Sequence, residues 1–587
     1  MRILAFIFST MALAAGSAHA QAVLESNGCF GCHDLQARKV GPAFGEVAAK
    51  YRGDAQAEAK LAAALKEGRG HPMPIAASDA DLRAMAKAVL GAKPVAAAAA
   101  APAPQAEGNP ENAACLACHG QEGFQPHVDA KQLAASVHAP RACLDCHKNI
   151  TGIPHARADG KDKDAGKLAI IREGCGGCHV ENFRSYGDTY HGQVTSLGYT
   201  YTAMCFDCHG KHDIKRVSDP ASTVHPDNRL ATCQKCHANA TKGFVTFQPH
   251  ANTHDRERYP AMWYTAKFMM ALIAGVFLFF WTHCALWFYR EWQDRKTGKH
   301  YQHISTAELP EYARGKHYRR FALPWRIAHL FFALSLMTLA ITGMAALYAH
   351  TGWASGFMRL LGGPQNAAII HRAAGVLILT IFVAQIIHFA VKLAPKWRTF
   401  NWFGHTSLVP GPQDLKDALA MFRWFFGQGP RPVFGRWTYW ERFDYWAPFW
   451  GLFIVGGTGL MLWFKEATAA VWPGWMFNVS MLAHGEEAFL AILFLFTVHF
   501  FNNHFRPDKL PPPDIVMFTG TVSLEEFARE HTLEYQELVR TGKLKDHLVD
   551  APSPAMTVGS RVLGIVLLTI GLTILCLVLY GFWTSFR

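Results

Sequence analysis

One short pattern, Cys-x-x-Cys-His, occurs six times in the N-terminal half of this 587-residue chain and limits what the chain can fold into. Two thiols at this spacing bond to the two vinyl groups of a haem, and the adjacent histidine binds the iron. A single copy could serve a zinc or redox site, but six copies predict six covalently attached haems. The cysteines are Cys29, Cys32, Cys115, Cys118, Cys143, Cys146, Cys175, Cys178, Cys205, Cys208, Cys233 and Cys236, and the histidines are His33, His119, His147, His179, His209 and His237.

Residues 1–20 have the pattern of a secretory signal peptide, with an early arginine, an apolar run and a small-residue ending before Gln21. The apolar run is short for an additional membrane helix. Covalent haem attachment also requires export, so we expect the haem motifs in the bacterial periplasm. The two remaining cysteines, Cys284 and Cys576, lie in apolar segments and are interpreted as packing residues rather than disulfide partners.

Composition divides the chain into regions with different solvents. The N-terminal half is polar and rich in His and Cys, whereas the C-terminal half alternates apolar runs with basic loops. The net charge of +12 comes mostly from those loops, so it indicates membrane topology rather than nucleic-acid binding. The predicted domains are a signal peptide (1–20), a monohaem domain (21–92), an Ala/Pro linker (93–110), a pentahaem domain (111–258) and a membrane domain (259–587).

The first motif is followed by Gly70-His71-Pro72-Met73-Pro74 and then by a helical stretch, 80–90. On these features residues 21–92 resemble a class I monohaem cytochrome c. The resemblance implies that Met73 binds the iron opposite His33. His71 and Met85 are the alternatives, although the position of Met85 in a helical pattern favours core packing. Ligation by Met and His would give this haem a comparatively high potential.

The other five motifs lie in a segment with little hydrophobic content, so haems must serve as its core. Five irons need five further axial ligands, and eight histidines are available there. All six motifs keep their own histidine, which favours electron transfer over a haem open to substrate. The expected distal ligands are His138, His155, His191, His225 and His250; the remaining candidates are His127, His212 and His254.

Six apolar segments in the C-terminal half are long enough to span a bilayer. With the haem motifs outside, the basic loops alternate with loops poor in Lys and Arg as the positive-inside rule requires. The chain is therefore predicted to lie in the bacterial inner membrane with its haem domains in the periplasm. The predicted spans are Trp263–Tyr289, Phe321–Leu347, Asn366–Val391, Tyr445–Phe464, Met481–Phe505 and Val562–Phe582.

Histidines inside these segments predict two further haems, because an ionisable side chain in a membrane helix usually has a function. In the fifth segment, His484 and His499 are about 22 Å apart along a helix and about 60° apart around it, so one helix can ligate two stacked haems. We pair His371 with His484 and His329 with His499. His388 is the alternative to His329.

The helix pattern resembles the dihaem cytochrome b subunit of formate dehydrogenases and hydrogenases. It is more similar to fused multihaem c and dihaem b quinol oxidoreductases, including Cbc-type inner-membrane proteins of metal-respiring bacteria. The stretches that carry the likeness are His371-Arg372, 435–446, 484–487 and 519–535. This resemblance implies a mainly α protein with two haem b, a six-helix transmembrane bundle and quinone or quinol as substrate.

These inferences predict an electron-transfer oxidoreductase that passes electrons from quinol through the b haems to the periplasmic c haems and an external acceptor. The expected partners are membrane lipid, the quinone pool and a periplasmic electron-transfer protein, without nucleic acid. Three alternatives stay open: a non-enzymatic electron conduit for a partner oxidoreductase, reverse flow from a periplasmic donor to quinone, and a terminal reductase with one open c haem. The sequence contains no motif that assigns a quinone-binding site.

Overall fold

A computed structural model describes residues 24, 29, 33–36, 42–67, 75, 77–92, 109–153, 155, 160–298, 308–404 and 406–585. These residues form two compact units. The first comprises Met1–His155 with two short later segments, Glu173–Glu181 and His212–Ile214. The second comprises the rest, including all the long apolar helices.

Three helices near the N-terminus enclose a small apolar core. Leu82, Met85 and Ala86 are almost completely buried there and pack with Phe44 and Leu61. The last helix starts at Ser78, whose hydroxyl accepts the backbone N–H of Asp81 as an N-cap. The helices are α1 (Phe44–Lys50), α2 (Ala57–Glu67) and α3 (Asp79–Leu90).

Between residues 109 and 258 the chain forms short helices joined by turns, as expected for a segment with few apolar residues. Among the described residues of this region, buried apolar side chains number eight, from Ala139 to Ala251. The helices are α4 (Ala113–His119), α5 (Ala130–Ala134), α6 (Cys143–Cys146), α7 (Gly160–Ala169), α8 (Gly176–Cys178), α9 (Val180–Gly187), α10 (Tyr190–Ser196), α11 (Cys205–His209) and α12 (Arg229–Gln234), with a π-helical turn at Ile170–Cys175 and 3₁₀ turns at Pro110–Asn112 and Phe244–Thr246.

Six described helices are long and apolar enough to cross a membrane, as the sequence predicts. Their shared core includes Met344, Phe496 and Val578. The fifth helix continues through two π-helical turns, Phe494–His499 and Phe501–Phe505. The six are α13 (Pro260–Lys296), α14 (Leu323–Leu347), α16 (Pro364–Leu393, extended by a 3₁₀ turn at Ala394–Lys396), α18 (Tyr439–Trp463), α20 (Trp475–Leu493) and α24 (Pro554–Thr584).

The loops at one end of these helices build a small folded layer. Its sheet has the order β2-β1-β3, with both pairs antiparallel, and it packs around Tyr318 and Phe527. The pattern of residues 525–539 predicts one amphipathic helix, but the structure interrupts it at His531, whose ring bonds to the Gly435 carbonyl. The helices at this end are α17 (Pro412–Phe425), α21 (Val516–Thr519), α22 (Leu524–Glu530) and α23 (Thr532–Arg540). The strands are β1 (His317–Arg319), β2 (Thr521–Ser523) and β3 (Leu548–Val549), with 3₁₀ turns at Glu311–Ala313, Pro507–Lys509 and Lys543–His547. Two further short helices, α15 (Gly352–Leu360) and α19 (Lys465–Val471), lie in other loops.

Candidate haem sites

The N-terminal motif histidine is held by one hydrogen bond and one ring contact. Its Nδ1 bonds to the carbonyl of Pro42 at 2.8 Å, and its ring stacks on Phe44 with centroids 5.1 Å apart. Since Nδ1 is engaged, Nε2 of His33 is the nitrogen left to bind iron. The predicted opposite ligand, Met73, and its alternative His71 lie outside the described residues, as does Cys32. Met85 is 1% exposed within the helical core.

Each of the other five motif histidines faces a second histidine ring. Three of these pairs lie in the first compact unit and two in the second. The pairs and their centroid separations are His119–His155 at 5.9 Å, His179–His138 at 6.1 Å, His147–His212 at 6.3 Å, His237–His191 at 6.2 Å and His209–His250 at 6.3 Å.

This spacing fits haem iron held between two imidazoles. A histidine nitrogen binds a transition metal at about 2 Å, so two rings on opposite sides of one ion have centres about 6 Å apart. Direct ring stacking would bring the centres closer. The five separations fall within 0.4 Å of one another, at the value that axial ligation requires. The residues therefore fit five haems with two histidine ligands each.

One of the five predicted distal histidines is placed elsewhere. His225 lies beside Asp227, with its Nδ1 3.5 Å from the carboxylate, and His212 occupies the position facing His147. The reason is a contact between distant segments. The backbone N–H of Val137 and the hydroxyl of Ser136 both donate to the carbonyl of Ile214. That contact joins the loop of His138 to the segment that begins with His212.

For four of these imidazoles, burial favours the neutral form that metal ligation requires. For His191, burial and then the neighbouring His237 lower the pKa to about 4. Burial also lowers the pKa of His138, His147 and His237. At neutral pH these four rings present a lone pair rather than a second N–H.

Within the long helices, His371 of α16 and His484 of α20 form a sixth pair, with centroids 6.3 Å apart. Each ring is oriented by a threonine on a neighbouring helix. Nδ1 of His371 lies 2.8 Å from Oγ1 of Thr342, and Nδ1 of His484 lies 3.1 Å from Oγ1 of Thr458. Both hydroxyls donate onward to carbonyls of their own helices, so they accept from the rings. This arrangement turns both Nε2 atoms toward the space between the rings.

A glycine follows each of these threonines and lets the histidine ring approach the helix. A Cβ on Gly343 would lie 3.2 Å from Cε1 of His371, and one on Gly459 would lie 3.1 Å from Cε1 of His484. Both distances are tighter than ordinary packing. The sequence reasoning missed these positioning residues. The sequence feature that could have indicated them is a Thr-Gly dipeptide in each of two apolar segments.

The other pair predicted for the helices lies toward their opposite ends. His329 of α14 interacts electrostatically with both His499 and His504. His499 is oriented through Nδ1, which lies 3.3 Å from Asp444 and 3.2 Å from the Asn503 amide. The alternative, His388, is exposed and packs edge-on against Trp325 with centroids 5.2 Å apart. The structure thus places His329, rather than His388, near His499.

The π-helical turn changes the predicted angle between the two histidines of the fifth helix. A π turn adds one residue without advancing the helix, so fifteen residues act as about fourteen. The rotation from His484 to His499 around the helix axis therefore becomes about 40° in the opposite sense, instead of about 60°. Their separation along the axis becomes about 21 Å. His484 and His499 still share one side of the helix.

Comparison with known proteins identifies the N-terminal region. Cytochrome c-551 of Pseudomonas aeruginosa is 40% identical over 79 residues, which are 12% of this chain and 76% of that protein. Cytochrome c-551 of Allochromatium vinosum is 38% identical over 91 residues, 14% of this chain and 97% of that protein. Cytochrome c-552 of Hydrogenobacter thermophilus is 40% identical over 75 residues, 12% of this chain and 76% of that protein. No family model matches the chain, and no solved structure gives a significant match.

The chain is thus an electron-transfer protein that binds covalent haem c in its N-terminal domain, and its described residues include six helices able to span a membrane. Through that domain, about 14% of its length, it belongs to the class I monohaem cytochromes c.

Proposed function

We propose that this chain is an inner-membrane quinol oxidoreductase. It takes electrons from quinol in the helical bundle and delivers them through periplasmic c-type sites to an external acceptor. Six histidine pairs with ring centroids about 6 Å apart are the observation that carries this proposal, and the interaction of His329 with His499 adds to them. Haem at these sites supplies one-electron redox chemistry, with six haems attached covalently and two held in the bundle.

Paired ligation favours electron transfer over catalysis at a c-type site. From His119 to His237, every described motif histidine has a second imidazole at the separation that axial ligation requires. An iron with both axial positions filled by the protein leaves no position for a substrate such as nitrite. This pattern disfavours a terminal reductase.

The positions of the two pairs in the bundle favour transfer across a membrane. His371 lies in the first third of α16, whereas His499 lies near the end of the fifth helix, and the histidines of that helix are about 21 Å apart along it. Basic loops at the His499 end support a cytoplasmic position for that end. The c-type sites would then be periplasmic.

Quinol oxidation releases two electrons and two protons, and the sites accept the electrons one at a time. The sequence favours an outward direction, because ligation by Met73 and His33 would give the N-terminal site a comparatively high potential. The same residues would serve reverse flow, so direction must be measured.

Anaerobic addition of a quinol analogue to the oxidised protein tests the proposal. We expect the b absorption bands to reduce first and the c bands to follow. Reduction by dithionite alone would favour a conduit that needs a partner subunit. Reduction of quinone by an added reduced periplasmic donor, without the quinol reaction, would favour reverse flow.

A matched pair of variants tests the ligands of the bundle. His329→Ala should lose one of two b haems, measured by pyridine haemochrome, because His329 lies near His499. His388→Ala should keep both, since its ring is exposed against Trp325. The opposite result would restore His388 as the ligand.

A further inference from the structure

The segment after the sixth motif docks on the loop between α18 and α20. The backbone N–H of Gly474 bonds to the carbonyl of Gly243 at 2.8 Å and to Oγ1 of Thr246 at 2.6 Å. The amide of Asn478 donates to the carbonyl of Gln248 and accepts its backbone N–H, at 2.8 and 3.1 Å. The segment is thus fixed to this loop and to the start of α20 by four hydrogen bonds as well as by packing.

An apolar contact path runs through this docked region from His237 to the fifth helix. The ring of His237 lies 5.0 Å from that of Phe244, which lies 5.8 Å from that of Phe477. Phe477 and His484 are seven residues apart on α20, which places them on one face about 10 Å apart. Each step is between groups in direct contact or on one rigid helix.

His191, the histidine that faces His237, is linked to α16, the helix that carries His371. His191 belongs to α10, and Leu197 at the end of that helix packs against the cluster of Ala345 and Met358. The hydroxyl of Tyr199 accepts a hydrogen bond from the Gln365 side chain, and Gln365 lies six residues before His371 on α16. Each histidine of the pair is therefore linked to a different helix of the His371–His484 pair.

We infer that the His191–His237 site is the junction at which the c-type sites exchange electrons with the His371–His484 site. Electron transfer falls off steeply with separation, so a rigidly docked pair dominates the exchange. The step is a single electron lost by one site and gained by the other, without bond making or proton transfer. The inference names a route within the proposed function and rests on haem at both pairs.

Gly474 offers a variant that should loosen the junction. A Cβ at this position would collide with the carbonyl oxygen of Phe244 and the backbone nitrogen of Phe247. Gly474→Ala should increase hydrogen–deuterium exchange in residues 239–248. It should also slow equilibration between the b and c bands by about tenfold, because a small displacement of a reacting group costs a large factor in rate.

Electrons are injected into the full-length protein by a ruthenium photoreductant, so the rate does not depend on quinol. Gly352→Ala is the matched control, since its added Cβ would meet no heavy atom within 4 Å. Phe244→Ala removes the intermediate ring without adding atoms and should slow the same phase. Equilibration among the c bands should be unchanged in all three.

Unchanged b–c equilibration in both Gly474→Ala and Phe244→Ala would overturn the inference, whatever the exchange data show. Equal slowing in Gly352→Ala would also overturn it, because the effect would not be local to the junction. Purified wild type that lacks b bands would instead overturn the proposed function, and that spectrum is read before any variant is made.

Discussion

Residues 109–258, here called the c-type region, and the helical bundle both bring histidines into pairs with ring centroids about 6 Å apart, but by different means. His147 and His212 are 65 residues apart in sequence and meet in a region with eight buried apolar residues among those described. His371 and His484 meet because rigid helices pack around a large apolar core. In the c-type region the proposed haems would complete the core, whereas the bundle has a core of its own.

The groups that orient the histidine rings differ between the two regions as well. In the c-type region, backbone carbonyls fix rings, as Pro126 does for His119 and Asn182 does for His250. In the bundle, helix carbonyls are mostly engaged within helices, so threonine hydroxyls take this role for His371 and His484. Covalently attached haem would therefore tolerate an irregular backbone, whereas noncovalently bound haem would depend on side chains of neighbouring helices.

The largest effect should come from removing one covalent attachment. Cys143→Ser with Cys146→Ser should prevent accumulation of the full-length protein, because the surrounding segment has little apolar core without haem. His371→Ala should lose one b haem and leave the protein folded. Immunoblotting with haem staining measures both. Normal accumulation of the double cysteine variant would show that this region has a sufficient core without its haem.

Much of this contrast could be read from the sequence. The six motifs and six apolar segments are local patterns, and the part of the chain that the structure describes has six helices of membrane length. Four of the five predicted distal histidines lie beside motif histidines. The exchange of His212 for His225 could not be predicted, because it depends on the contact of Ser136 and Val137 with Ile214. Likewise, the helix break at His531 follows from a bond to Gly435, a tertiary contact without a local signal.

A second test concerns the charged network at the His499 end of the bundle. Lys509 is 9% exposed and contacts the carboxylates of Asp514, Glu526 and Glu530. Burial opposes its charge, but these carboxylates outweigh burial and raise its pKa. Lys509→Met should destabilise this end by about 3–5 kcal/mol, since it removes the cation shared by three partly buried carboxylates, of which only Glu530 keeps a pair with Arg506 among the described residues. Thermal unfolding in detergent measures the loss, with exposed Lys416→Met as the control.

The same network should respond to acid. Burial disfavours the charged form of Glu530, yet Lys509 and Arg506 outweigh this and lower its pKa well below 4.5. Because the pKa of Glu530 is lower in the folded state, its ionised carboxylate stabilises the fold above about pH 4.5. This stabilisation is lost as the pH falls through the pKa that Glu530 has in the folded protein. Melting temperatures across this range should fall more steeply for wild type than for Lys509→Met. Parallel curves would show that the lysine does not set the acid limit.

The orientation of the bundle histidines gives a smaller and more local test. Thr342→Val removes the hydrogen-bond acceptor for Nδ1 of His371. Loss of such a partner costs about 10–100-fold in metal affinity or activity for metal sites. We expect b haem to transfer faster to apomyoglobin, with c haem unaffected. Thr380→Val, on an exposed position of α16, is the control. Equal transfer in both variants would remove Thr342 from the positioning role.

Thr458→Val should have the smallest effect of all, although its geometry matches that of Thr342. Nδ1 of His484 also lies 3.0 Å from the carbonyl of Val455, so a second acceptor remains when the hydroxyl is lost. Haem transfer should therefore be accelerated less than in Thr342→Val. If the two variants behaved alike, the Val455 carbonyl would contribute nothing to the orientation of His484. The two threonine hydroxyls alone would then orient the His371–His484 pair, in the role that backbone carbonyls have in the c-type region.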